Sequence, residues 1–185
     1  MQYIIWIGAA VTLLAYIPLL ISAWRGDAHL NIATWLIWSF IDAVLFFSLV
    51  ANHADAALAG AFGVGNIIVV FAILKSGVWH WRSFEALVLV GAVISLGVWY
   101  YISTFAATVT IVIIKYCIAI APSFRDAYKN PEKKQVLPWA MYSLGGLLSI
   151  IGAGSWTLSN SFYPTVSFIA NGAMALLHGH KRKVQ

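Results

Sequence analysis

This sequence predicts an all-α membrane protein: seven transmembrane helices grouped as three, one and three, with the N-terminus outside and the C-terminus cytoplasmic. Three observations predict it, namely seven apolar segments of membrane-crossing length, basic residues confined to alternate loops, and a residue pattern that returns after 104 positions. Composition agrees. With 62% of its residues hydrophobic and 9% charged, the chain does not have the make-up of an ordinary soluble domain.

The segments run from 3 to 23, 31 to 50, 56 to 75, 84 to 102, 104 to 124, 137 to 158 and 160 to 178. Each holds about 20 mostly apolar residues, enough for a helix to cross a ~30 Å hydrocarbon core. The first lacks a basic leading region and is longer than a signal-peptide core, so it is expected to persist as a helix. The loops after the first, third and fifth segments, together with the tail, hold ten of the eleven basic residues: Arg25, Lys75, Arg82, Arg125, Lys129, Lys133, Lys134, Lys181, Arg182 and Lys183. The loops at Ala51 to Asp55, near Ser103 and at Ser159 to Ser161 hold none. The positive-inside rule therefore sets the orientation, and an odd number of crossings satisfies both ends. The formal charge of +5 is mainly a topology signal. Charges scattered over short loops suit anionic lipid headgroups, not nucleic acid.

Shifting the sequence by 104 brings Pro18 onto Pro122, Arg25 onto Lys129, Trp35 onto Trp139, Trp38 onto Tyr142 and Ser39 onto Ser143; one further residue brings Asn66 onto Asn171. The matches follow span order, which points to an internal duplication. Three crossings end on the opposite side from their start, so a second copy pointing the same way requires one extra crossing. The fourth segment supplies it. The units are then a first repeat over 1–75, a linker helix over 76–103 and a second repeat over 104–185, related by an axis along the membrane normal.

Depth decides what the polar residues can do. Asn66 and Asn171 fall near the bilayer midplane, where lipid satisfies no carboxamide and each group must face protein or water. A single such residue commonly bonds a neighbouring helix; a pair matched by pseudo-symmetry makes a polar site in a cavity. Trp35, Trp38 and Asp42 lie at i, i+3 and i+7 on one helix face, and Trp139, Tyr142, Gly146 and Ser149 repeat the spacing. Such rings suit stacking on a sugar, a nucleoside or another planar solute. Trp35 and Trp139, near the span ends, also fit the interfacial role expected of Trp6, Trp24, Trp79, Trp81 and Trp99.

Asp42 and Lys115 lie at similar depths, where an isolated charge costs at least ~2.5 to 3.5 kcal/mol. Two uses fit: a structural bridge, or a functional pair in which Asp42 titrates or a charge meets the solute. Their positions in the other half hold Gly146 and Val11, so the pair breaks the symmetry, as an adapted site would. Pro18 and Pro122 each remove a helical hydrogen bond and are candidate hinges.

Enzyme chemistry finds little support. The histidines sit near loops without a metal-binding spacing, Cys117 is alone, and the Gly63 to Gly65 pair is mid-span, so no catalytic residue, metal or cofactor is expected. A retinal-binding opsin would carry its lysine in the last span. Here the intramembrane lysine is in the fifth.

Tyr16, Ile17, Pro18 and Leu19, with Ile120, Ala121, Pro122 and Ser123, resemble degenerate copies of the proline–glutamine motif of the PQ-loop superfamily, Leu19 and Ser123 standing where the glutamines would be. That superfamily includes the SWEET and SemiSWEET sugar transporters and cystinosin-like exporters, and its helix layout is shared by the KDEL receptors and PnuC-type vitamin transporters. The resemblance implies a multi-pass protein, of the cell membrane by expectation, that moves a small polar solute, sugar-like or nucleoside- or vitamin-like, by alternating access. It implies that Asn66 and Asn171 line the pocket. Trp156, fifteen residues before Asn171, matches the spacing of the SWEET pocket tryptophan, although its counterpart near Ala51 or Asn52 is not aromatic. The alternative is a ligand-binding receptor on the same fold, like the KDEL receptors. The expected partners are the solute and membrane lipids, and a homo-oligomer is compatible with the pattern.

Overall fold

The computed structural model describes residues 2–25, 31–74, 83–101 and 104–180, and within them every extended element is helical. In chain order these are α1 (Gln2–Leu14), α2 (Tyr16–Trp24), α3 (Ile32–Ala51), α4 (Ala57–Ile73), α5 (Ser83–Tyr101), α6 (Thr104–Ile113), a π-helical turn (Ile114–Ala119), α7 (Ala121–Lys129), α8 (Lys133–Gly152) and α9 (Leu158–Gly179). Among the described residues three stretches are long and apolar enough to cross a membrane, Gln2–Ile21, Ile32–Ala51 and Lys133–Gly152, and Ala57–Ile73 is a shorter apolar helix. Lys75, Arg82, Lys181, Arg182 and Lys183, with Trp79, Trp81 and residues 76–82 of the linker, lie outside the described residues.

Local chemistry sets the helix starts. The Asn31 side chain accepts from the Ala33 N–H at 3.2 Å and caps α3, and Asp55 accepts from the Ala57 N–H at 2.9 Å at the start of α4. Thr157 occupies the same role for α9. In each case a short polar side chain satisfies an N–H that the helix leaves unpaired.

Two expected helices are interrupted. The segment over 3–23 divides at Ala15 into α1 and α2, and the segment over 104–124 passes through the π-helical turn, breaks at Ile120 and continues to Lys129. Pro18 and Pro122 each follow such a break within three residues, as expected of residues that lack the N–H needed to continue the helical ladder. The Ile120 N–H reaches back to the Lys115 carbonyl at 3.1 Å, five residues earlier, which is the wide turn a π-helix makes. The sixth segment, expected over 137–158, starts earlier and ends earlier, at Lys133–Gly152. Polar Lys133 to Gln135 extend the helix past its apolar stretch, and the bend at Gly154 and Ser155 ends it.

Packing is reciprocal. Helix α1 lies against α8 and α4, α6 lies against α3 and α9, while α3 pairs with α4 and α8 with α9; α5 covers α6 and α3. The contacts keep a common register. Gly152 meets Ile4 and Ile5, and the positions 104 residues away meet likewise, Ser48 and Thr108 sharing a hydrogen bond of 2.7 Å. Gly146 packs on Phe168, and Asp42 packs on Gly63. The outward faces carry large exposed apolar residues, among them Trp6, Phe71, Leu87 and Ile169.

The α1–α8 seam allows a direct test. A Cβ on Gly152 would sit 2.8 Å from the Ile5 backbone nitrogen and 2.7 Å from its Cγ1, so the helices must separate to admit it. Gly152→Ala is expected to cost about 1–3 kcal/mol, the usual penalty for overpacking a tight contact. Gly154→Ala, with open space around it, is expected to leave the melting temperature in detergent unchanged.

Candidate functional site

The helices surround a cavity of about 240 Å³ lined by Trp35, Trp38 and Asp42 of α3, Asn66 of α4, Lys115 of the π-helical turn, Trp139 and Tyr142 of α8 and Asn171 of α9. Eight of the nine substrate-contact residues expected from the sequence thus converge on one space, from five separate elements. Trp156 does not join them. With α8 ending at Gly152, it falls in the α8–α9 connection, 74% exposed, and the expectation of a pocket role is corrected. Of the hinge candidates, Pro18 does not line the cavity although its neighbour Tyr16 does, and Ile120 and Ser123, either side of Pro122 in the chain, line it too.

The deep wall is polar and buried. Asp42 is 0% exposed, Lys115 2%, Asn66 4% and Asn171 2%. The Lys115 ammonium donates to Asp42 Oδ1, closing an ion pair between α3 and the π-helical turn, and Asn66 Nδ2 donates to Asp42 Oδ2 at 2.8 Å. The Tyr16 hydroxyl donates to Asn66 Oδ1 at 2.7 Å, sharing its proton with the Phe62 carbonyl at 3.2 Å. Around the ammonium stand four rings, with centroids 4.3 Å away for Phe62, 5.3 Å for Tyr116, 5.6 Å for Tyr163 and 5.8 Å for Trp38. Ring faces attract a desolvated cation and so soften its burial. The hydroxyls of Tyr116 and Tyr163 are buried without a hydrogen-bonding partner among the described residues.

The remaining wall is aromatic. Tyr142 sits edge-on to Tyr16 at 5.2 Å and to Trp139 at 5.7 Å, and Tyr16 sits edge-on to Trp35 at 6.4 Å. Flat faces with a few polar groups between them bind by stacking plus hydrogen bonding, the usual composition of a small-molecule pocket.

One end of the cavity continues outward, and among the described residues helix contacts close the other. A vestibule of about 310 Å³ shares Trp35, Ser123, Trp139 and Tyr142 with the cavity and extends to Asn130, Glu132, Gln135 and His178. It lies at the end that the charge pattern assigns to the cytoplasm. There the Glu132 N–H donates to His178 Nδ1 at 3.1 Å and ties the start of α8 to the end of α9. At the opposite end the connections are joined: the Asp55 N–H donates to Asn160 Oδ1 at 3.2 Å, above the Ser48–Thr108 and Gly152–Ile5 contacts.

Tyr16, Phe62 and Tyr116 are site residues that spacing did not single out as ligands. Tyr16 was visible only as part of the motif around Pro18. It meets Asn66, 50 residues away in the chain, directly after the break at Ala15. The fold and site define a helical protein with a central aromatic and polar cavity that continues into a vestibule. No family model, curated protein or solved structure matches the chain.

Proposed function

We propose that this chain is a seven-span membrane transporter of two parallel three-helix repeats that moves a small polar solute, sugar-like or nucleoside- or vitamin-like, by alternating access. The observation that carries it is the cavity: a buried polar and aromatic site at mid-helix depth that continues into a vestibule at one end, with helix contacts among the described residues at the other. A transporter caught facing inward has this shape, because access to a central site must be offered to one side at a time. The apolar outward faces and the spans of Gln2–Ile21, Ile32–Ala51 and Lys133–Gly152 support the membrane setting. The reciprocal packing of α1 on α8 and α6 on α3, in a shared 104-residue register, supports the duplication.

The solute class follows from the lining. The ion pair leaves the cavity with no net charge, so an uncharged or zwitterionic solute enters without leaving an unbalanced charge in a low-dielectric site. The aromatic wall adds a stacking surface for a sugar face or a planar base.

Uptake of tritiated sugars, nucleosides, vitamins and amino acids into proteoliposomes tests this. At least one uncharged or zwitterionic solute is expected to accumulate above protein-free vesicles, and Asn171→Ala is expected to lower that uptake on the order of tenfold, the worth of about one hydrogen bond. A solute that binds the purified protein yet never enters the vesicles would replace the transporter with a receptor on the same fold.

A further inference from the structure

The two mid-helix asparagines are interchangeable in the sequence, and their surroundings differ. Asn66 uses both ends of its carboxamide within the protein, accepting from Tyr16 at 2.7 Å and donating to Asp42 at 2.8 Å. The positions 104 residues beyond Tyr16 and Asp42 are Ile120 and Gly146, which offer no polar side chain. Asn171 is left with one bond, from its Nδ2 to Ser167 Oγ at 3.0 Å on its own helix. Its carbonyl oxygen meets no donor among the described residues, while the residue lines the cavity. An amide oxygen on the wall of a cavity, with no donor from the described residues, is placed to accept one from a bound molecule.

The bonds of Asn66 have a second consequence. Tyr16 directly follows the break at Ala15, and Lys115 lies in the π-helical turn that precedes the break at Ile120. The chain Tyr16–Asn66–Asp42–Lys115 therefore fastens both interrupted segments to each other through α4 and α3. Any rocking that bends the chain at those breaks has to part it.

Resting on the transport reading above, we infer that the asparagines divide the work. Asn171 presents its carbonyl oxygen to a hydroxyl or N–H of the solute. Asn66 is a positioning residue that latches the state in which the cavity opens to the vestibule. Solute specificity at the amide then resides in the second half of the chain, and the balance between conformations resides in the first. The sequence symmetry conceals this because it repeats the asparagine and not its partners.

Cysteine accessibility tests the division without a solute. In the full chain, with Cys117 replaced by alanine, Gln135→Cys reports opening of the vestibule and Ser48→Cys reports opening of the shut end, each read as the rate of labelling by a fluorescent maleimide in detergent micelles. Ser48 is 0% exposed in this state and Gln135 lines the vestibule. Asn66→Leu and Tyr16→Phe are each expected to raise the Ser48→Cys rate about fivefold or more and to lower the Gln135→Cys rate. Asn171→Leu is expected to leave both rates within about twofold of the parent. Opposite movement of the two reporters separates a lost latch from a loosened protein, in which both rates rise. The inference is overturned if Asn171→Leu shifts the rates as Asn66→Leu does, if Asn66→Leu raises both together, or if it moves neither. A protein that follows the expected labelling and takes up none of the tested solutes keeps the division of roles and loses the transport reading.

Discussion

Replacing Lys115 by methionine is expected to destabilise the protein by about 3–5 kcal/mol, and replacing Asp42 by asparagine by somewhat less, while the double replacement recovers most of the loss. The first change leaves a carboxylate at 0% exposure with the Asn66 amide as its remaining donor. The second leaves an ammonium among the rings of Phe62, Tyr116, Tyr163 and Trp38, each such contact worth about 0.5–2 kcal/mol to a cation. Removing both partners strands neither, and two neutral side chains of similar size fill the space. Thermal unfolding of the three variants in one detergent measures this. Losses that add in the double variant would show that the two charges act independently, against the ion pair described here. Uptake by the double variant then separates the two uses of the pair: a structural bridge predicts transport that survives, a solute-binding or titrating pair predicts transport that is lost.

The second large effect is expected at Gly65. A Cβ there would overlap Tyr16 Cε2, Cδ2 and Cζ, a clash that no small adjustment relieves. Tyr16 has little room to yield, being 3% exposed, edge-on to Tyr142 and hydrogen-bonded to Asn66. Gly65→Ala is therefore expected to cost about 3 kcal/mol, the upper end of the overpacking range, and to cut uptake sharply because the displaced tyrosine takes its bond to Asn66 with it. Adding Tyr16→Ser removes the ring and should restore much of the stability without restoring transport. Gly97→Ala, with nothing within 4 Å among the described residues, serves as the control that adds a Cβ without a clash. Equal melting temperatures for Gly65→Ala and Gly97→Ala would show that the α2–α4 approach is looser than described.

The site was legible where it depends on periodicity. Trp35, Trp38 and Asp42 share a helix face because their spacing is helical, and that face does line the cavity. Depth matching anticipated that Asp42 and Lys115 share a level, and they pair. Trp156, singled out by its spacing of fifteen residues before Asn171, does not reach the cavity because α8 ends at Gly152, and neither spacing nor hydropathy locates a helix end closely. Tyr16 went unassigned because a tyrosine near a proline has no preferred partner until the chain is folded.

By itself the sequence determined the helical class, the approximate extent of most helices and the set of polar residues buried within them, since these follow from apolar length and from a 3.6-residue period that any solvent-averse environment reads the same way. Only the tertiary structure decided where α1 parts from α2, where the π-helical turn falls, and which asparagine is engaged. The physical reason lies in reach. Asn66 is 24 residues from Asp42 and 50 from Tyr16, and Asp42 is 73 from Lys115, so their bonds are made by helix packing and by breaks in the backbone, which no local pattern encodes.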